Sequence, residues 1–140
     1  VTLGPGRGIE GIGLHRGETV RLELVRGHGP LQFERNGIVR PIDAFRVSST
    51  LFATSIACDA FELHTIEHFL AALGGLGVRD GCRLIVTGGA ELPMFDGGAR
   101  KYTAWIGELG LSSQPSRLRV ARQARIEIER STYELEPSET

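Results

Sequence analysis

A carboxylate and an imidazole stand side by side at Glu67 and His68, inside the stretch Thr65-Ile66-Glu67-His68-Phe69-Leu70-Ala71-Ala72-Leu73. An ionised carboxylate accepts a proton and a neutral imidazole offers a lone pair to a metal, so the pair has the chemistry of a metal-bound water and its general base. The spacing of Ile66, Phe69, Leu70 and Leu73 predicts an amphipathic helix, with Thr65 capping its start and Gly77 ending it. Glu67 and His68 fall off the apolar stripe, about 100° apart around the axis. They therefore converge on a third body beyond the helix end, such as a divalent cation, rather than on each other. The positive end of the helix dipole favours the ionised glutamate and disfavours an imidazolium, which keeps His68 in the form a metal needs. The competing reading is that Glu67 only complements the dipole and His68 is an ordinary surface residue.

A second metal pattern overlaps the first. His64-Thr65-Ile66-Glu67-His68 fits H-x-x-E-H, in which two histidines at i and i+4 share a helix face and the glutamate between them acts as base. On that reading His64 is a further metal ligand and the chain a metallopeptidase. Thr65 as the cap weighs against it, because His64 then precedes the helix and leaves the shared face.

The elements that must position these residues are short. The chain has 140 residues, enough for one ordinary domain, and 41% hydrophobic with 24% charged residues is the balance of a soluble globular protein. A net charge of -1 and the absence of a basic run argue against nucleic acid or an anionic membrane as partner. Cys58 and Cys82 have no neighbour at metal-ligand spacing, so both are expected as buried or free thiols in a reducing compartment. No segment approaches the roughly 18 apolar residues of a membrane span and no signal peptide opens the chain, so a cytoplasmic location is expected.

The 19 glycines cluster at turns. Thr19 to Val25 alternates as a half-buried strand, and Leu31 to Ile42 reads as two strands around an Asn36-Gly37 hairpin turn. Ser48 to Ala57 and Gly81 to Thr87 are further strands. Asp96 is placed to cap a second helix carrying Tyr102, Trp105, Ile106 and Leu109, stopped by Gly110. The expected fold is α+β: a two-layer sandwich of a mainly antiparallel sheet with two helices. Residues 112–117 read as a polar linker between a first domain, 1–111, and a segment, 118–140, in which Ile126, Ile128, Tyr133 and Leu135 form a C-terminal β-hairpin. A lone hairpin is marginal in water, so this one is expected to open a second domain that is absent from the sequence, to pack on the first domain, or to pair with another chain.

The segments GIGLHRGE (Gly11 to Glu18), TIEHFLAALGGLG (Thr65 to Gly77), ELPMFDGG (Glu91 to Gly98) and LEPSET (Leu135 to Thr140) stand in the order found in UDP-3-O-acyl-N-acetylglucosamine deacetylases, and the chain resembles that family over nearly its whole length. The family's zinc enzymes remove the N-acetyl group from a UDP-linked acylated glucosamine, the committed step of lipid A synthesis in Gram-negative bacteria. They consist of two similar α+β domains with the active site between them. The resemblance implies that His68 is a zinc ligand and Glu67 the general base, with ferrous iron as the alternative metal. It also implies that the remaining ligands, a histidine and an aspartate four residues apart on one helix, and a separate catalytic histidine come from the second domain. A second domain or a second chain is thus expected to complete the site.

Further roles follow from the same resemblance. His15 is expected to contact the nucleotide-sugar. Asp96 aligns with the aspartate of an Asp-Gly-Ser turn, with Gly98 in place of the serine, and is given a structural role as turn and helix cap. Phe52, Ala53 and Thr54 align with a strand bordering the family's active site and are expected in the core, whereas His28 is expected in solvent. The alternative to a deacetylase is a non-catalytic half-domain that binds nucleotide-sugar or a partner protein.

Overall fold

The computed structural model describes residues 8–110 and 120–137, so the expected linker at 112–117 lies outside the described residues. Ten strands and two α-helices follow in the order β1 (Ile9–Ile12), β2 (Thr19–Pro30), β3 (Gln32–Arg35), β4 (Ile38–Pro41), a 3-10 turn (Ile42–Ala44), β5 (Arg46–Ser49), β6 (Ser55–Ala57), β7 (Glu62–Leu63), α1 (Glu67–Gly75), β8 (Asp80–Gly88), α2 (Arg100–Glu108), β9 (Ala124–Ile128) and β10 (Ser131–Leu135). The main sheet has the order β1-β2-β8-β3-β4, and only the β3–β8 pairing is parallel. A small sheet, β5-β6-β7, precedes α1, and β9 and β10 pair as a hairpin. The fold is the expected α+β arrangement with two helices, a mainly antiparallel sheet and a C-terminal hairpin.

Alternation builds the layers. Val20, Leu22 and Leu24 of β2 and Cys82, Leu84 and Val86 of β8 point to one face, where they join Phe69, Leu73, Tyr102, Trp105 and Ile106 of the helices in a single core. The rings of Phe69 and Tyr102 meet edge to face at 5.8 Å, which locks α1 against α2. The opposite face of the sheet is polar, with Arg83 paired to Glu34 and Arg21 to Glu23. The Asn36-Gly37 turn connects β3 to β4 as expected, both residues having left-handed φ of 51° and 76°. In the hairpin, Ala124, Ile126, Ile128, Tyr133 and Leu135 share one face while Arg125, Glu127 and Glu134 form ion pairs on the other.

Several elements depart from expectation. Ser48 to Ala57 is two strands rather than one: the chain turns back between β5 and β6. Phe52 sits on that turn with φ 64° and 86% of its surface exposed, and Leu51 is 73% exposed, so the expected core role for Phe52 is wrong. Thr65 does not cap α1, because it adopts φ 54° and turns its hydroxyl away; the cap position is Ile66, without a side-chain hydrogen bond. Gly77 does end α1: its amide donates to Gly74 and that of Val78 to Leu73, the paired bonds of a Schellman motif. Asp96 does not cap α2. It lies in the turn Met94 to Gly97, and the helix begins later, with Ala99 at the cap position and its carbonyl accepting from the Thr103 amide at 2.8 Å and hydroxyl at 2.9 Å.

Candidate functional site

The site is assembled by the connection between β7 and α1. His64 forms a parallel bridge with Glu91: its amide donates to the Ala90 carbonyl and its own carbonyl accepts from Leu92, each within 3.0 Å. This places the Glu91 side chain under Thr65 and under the turn that joins β1 to β2. Glu91 is 1% exposed, and its carboxylate accepts from the amides of His15 (3.0 Å) and Arg16 (2.9 Å), the His15 Nδ1 (2.7 Å) and the Thr65 hydroxyl (3.2 Å). Burial alone would raise its pKa, but these hydrogen bonds outweigh that and hold it below its ordinary value. The approach requires glycine at Gly13, where a Cβ would stand 2.7 Å from Glu91 Oε2. Two of the sequence segments singled out above, GIGLHRGE and ELPMFDGG, are thus partners across one buried carboxylate.

Glu67 opens the first turn of α1, where the dipole favours its charge. Its Oε2 accepts from the Thr54 amide at 3.1 Å, while the Thr54 carbonyl accepts from the Ile66 amide at 3.3 Å. This two-way clamp ties the carboxylate to the end of the β5–β6 turn and leaves its other lone pairs without a partner among the described residues. Burial, with the Glu67 charge adding, pushes the Tyr102 phenol up, and the phenol donates to the Pro93 carbonyl at 2.7 Å. His68 is half-buried, and its side chain makes no hydrogen bond or ion pair with another described residue.

His64 lies before α1, in the bridge to Glu91, so it cannot share a helix face with His68 and the H-x-x-E-H arrangement does not form. Its Nδ1 is 2.9 Å from Ser55 Oγ and its Nε2 is 3.8 Å from Glu62. Burial lowers its pKa, and the Arg16 charge lowers it further, so the ring is neutral near pH 7. His15, Arg16, Phe52, Ser55, His64 and Glu91 line a cavity of about 240 Å³ whose wall also includes Thr65 but neither Glu67 nor His68. His28 is exposed. Cys58 and Cys82 are free thiols, and burial pushes that of Cys82 up to about 11.

Sequence reasoning missed Glu91. Its only signal was a lone charge between the apolar residues Ala90 and Leu92, together with the Gly11 and Gly13 spacing of its partner loop. No group of three or more histidine, cysteine or acidic side chains arranged to hold a metal exists among the described residues. Three metal donors therefore do not converge among the described residues. No helix of the described residues is long and apolar enough to cross a membrane.

Residues 2–140 match the family model LpxC: UDP-3-O-acyl N-acetylglycosamine deacetylase. Among curated relatives, the UDP-3-O-acyl-N-acetylglucosamine deacetylase of Myxococcus xanthus is 36% identical over 132 residues, covering 88% of this chain and 41% of the relative. The corresponding proteins of Psychrobacter arcticus and Anaeromyxobacter sp. are 31% identical over 138 residues and 36% over 108, covering 92% and 74% of this chain but 42% and 35% of their own lengths. The chain thus spans less than half the length of these relatives. A hydrolase role is the general function class that this kinship supports. With a match across nearly every residue and relatives agreeing on one description, the chain belongs to the LpxC family of UDP-3-O-acyl N-acetylglycosamine deacetylases.

Proposed function

We propose that this chain supplies one side of a zinc-dependent amide hydrolase site that removes the N-acetyl group of UDP-3-O-acyl-N-acetylglucosamine in the cytoplasm of a Gram-negative bacterium, as part of lipid A synthesis. The observation that carries this reading is the Glu67 carboxylate, clamped by Thr54 in the first turn of α1 next to an imidazole, His68, without a partner among the described residues, within a chain of this family. The free thiols of Cys58 and Cys82 suit a reducing compartment.

In this reading His68 is one ligand of the metal, zinc or, since imidazole also suits it, ferrous iron. Such a cation, when bound, polarises the amide carbonyl and acidifies water. Glu67 takes the proton of the attacking water and then returns it to the leaving amine, which the second lone pair of its clamped carboxylate leaves it free to do. His15, held at the cavity edge, contacts the nucleotide-sugar through Nε2. Asp96 shapes the turn before α2. The remaining metal ligands come from outside the described residues, from a second domain following a linker at 112–117 or from a second chain; residues 1–111 are the first domain and 118–140 begin the second.

The test is deacetylation of UDP-3-O-acyl-N-acetylglucosamine by the protein that contains this segment at its full natural length. Glu67→Gln should lower kcat by roughly 10²- to 10⁴-fold with KM little changed. A non-catalytic half-domain would bind the nucleotide-sugar with no turnover in either form, and that result would replace the reading.

A further inference from the structure

A carboxylate only accepts hydrogen bonds, so the 2.7 Å contact between Glu91 Oε1 and His15 Nδ1 places a proton on Nδ1. In the neutral ring Nε2 then carries the lone pair, and His15 is among the residues that line the cavity. The same carboxylate holds Thr65, a β-branched residue at φ 54°, through its hydroxyl. Thr65 stands directly before Ile66 and Glu67, so its backbone sets the direction in which α1 leaves. Left-handed β-branched residues persist only where surrounding contacts over-determine them. Here those contacts are the buried Glu91 below and the bridge through His64 behind.

We propose that Glu91 is a positioning residue of the reaction: it fixes the Nδ1–H tautomer of His15, presenting Nε2 to the cavity, and secures the Thr65 turn from which Glu67 and His68 project. With 1% of its surface exposed and its acceptor positions filled, it acts through its two partners. An orienting carboxylate of this kind commonly sets which imidazole nitrogen faces a ligand. With four donors on its two oxygens, the carboxylate has no spare acceptor site, and loss of its charge loosens both partners at once. The relevance to deacetylation rests on the function proposed above. The tautomer and the turn do not, since both rest on contacts within the chain.

The experiment is long-range proton–nitrogen correlation of the His15 ring in the labelled 140-residue chain, recorded at a pH high enough that only the neutral ring is present, with no zinc or nucleotide added. The expected spectrum shows Nδ1 protonated and Nε2 bare. In Glu91→Gln the ratio of the two tautomers should move by about tenfold towards Nε2–H, because the amide group also offers donors to Nδ1. Thr65→Val should leave the His15 tautomer as in wild type while hydrogen exchange at the amides of Phe69 and Leu70 accelerates. A wild-type ring protonated on Nε2, or an unchanged tautomer in folded Glu91→Gln, overturns the proposal. Should Glu91→Gln not fold, the wild-type spectrum decides the tautomer and Thr65→Val decides the turn, where unaltered exchange contradicts the second half. None of these readouts changes if the protein proves not to be a deacetylase.

Discussion

Two glutamates within one small region are held in opposite ways. Glu91 is sunk beneath Thr65 with every acceptor position filled, whereas Glu67, at the start of α1, is clamped by one backbone amide and its other lone pairs meet no donor among the described residues. A saturated carboxylate has no capacity left to take up a proton from substrate, and its burial makes it a joint between segments. A carboxylate fixed on one oxygen and open on the other has both position and capacity. The difference separates structure from chemistry more sharply than charge or residue type does, because both are glutamates near a histidine.

The comparison breaks most visibly if the two residues are exchanged for neutral ones. Glu67→Gln should cost the roughly 10²- to 10⁴-fold in turnover given above and less than about 1 kcal/mol in stability, measured by denaturant unfolding, since one backbone hydrogen bond survives to the amide oxygen. Glu91→Ala should show the reverse order of effects, losing about 2–4 kcal/mol of stability because the buried Thr65 hydroxyl and the amides of His15 and Arg16 lose their acceptor. Gly13→Ala should cost about 1–3 kcal/mol by pushing its new methyl group against Glu91 Oε2, with no titratable group altered.

The smallest expected effect is on pH dependence. Glu91 has a lowered pKa in the fold, so its contribution is present above the unfolded value of about 4.3 and is lost as pH falls through the folded value. His64 has its pKa lowered by burial, so between its unfolded value of about 6.5 and its lower folded value the unfolded chain binds the extra proton and stability also declines as pH falls. Unfolding titrations should show two separate acid losses, with Glu91→Gln flattening only the lower and His64→Gln only the upper.

The open carboxylate was legible in the sequence and the closed one was not. Glu67 lies at the start of an apolar stripe with helical period, and both the helix and its glycine end could be read from residues near in the chain. The Asn36-Gly37 hairpin was readable for the same reason. Glu91 owes its role to residues 76 and 26 positions away, His15 and Thr65, and no local pattern announces such a contact. Thr65 misled because a threonine before a helical run is ordinarily a cap; here the more distant carboxylate outcompetes the helix for its hydroxyl. Phe52 misled because an apolar residue in an apolar stretch reads as core, whereas a left-handed turn carries it outward. His64 was legible only through its neighbour: once Thr65 leaves the helix, His64 is outside it too.

We propose that this chain contributes a single metal donor, His68, beside an open base. Zinc titration of the purified 140-residue chain tests it most directly, in wild type and His68→Ala. No stoichiometric zinc should remain after dialysis, and binding should be weak, since one imidazole is a poor site. One tightly held zinc per chain that disappears in His68→Ala would contradict it, and would mean that the chain completes the site without a second domain.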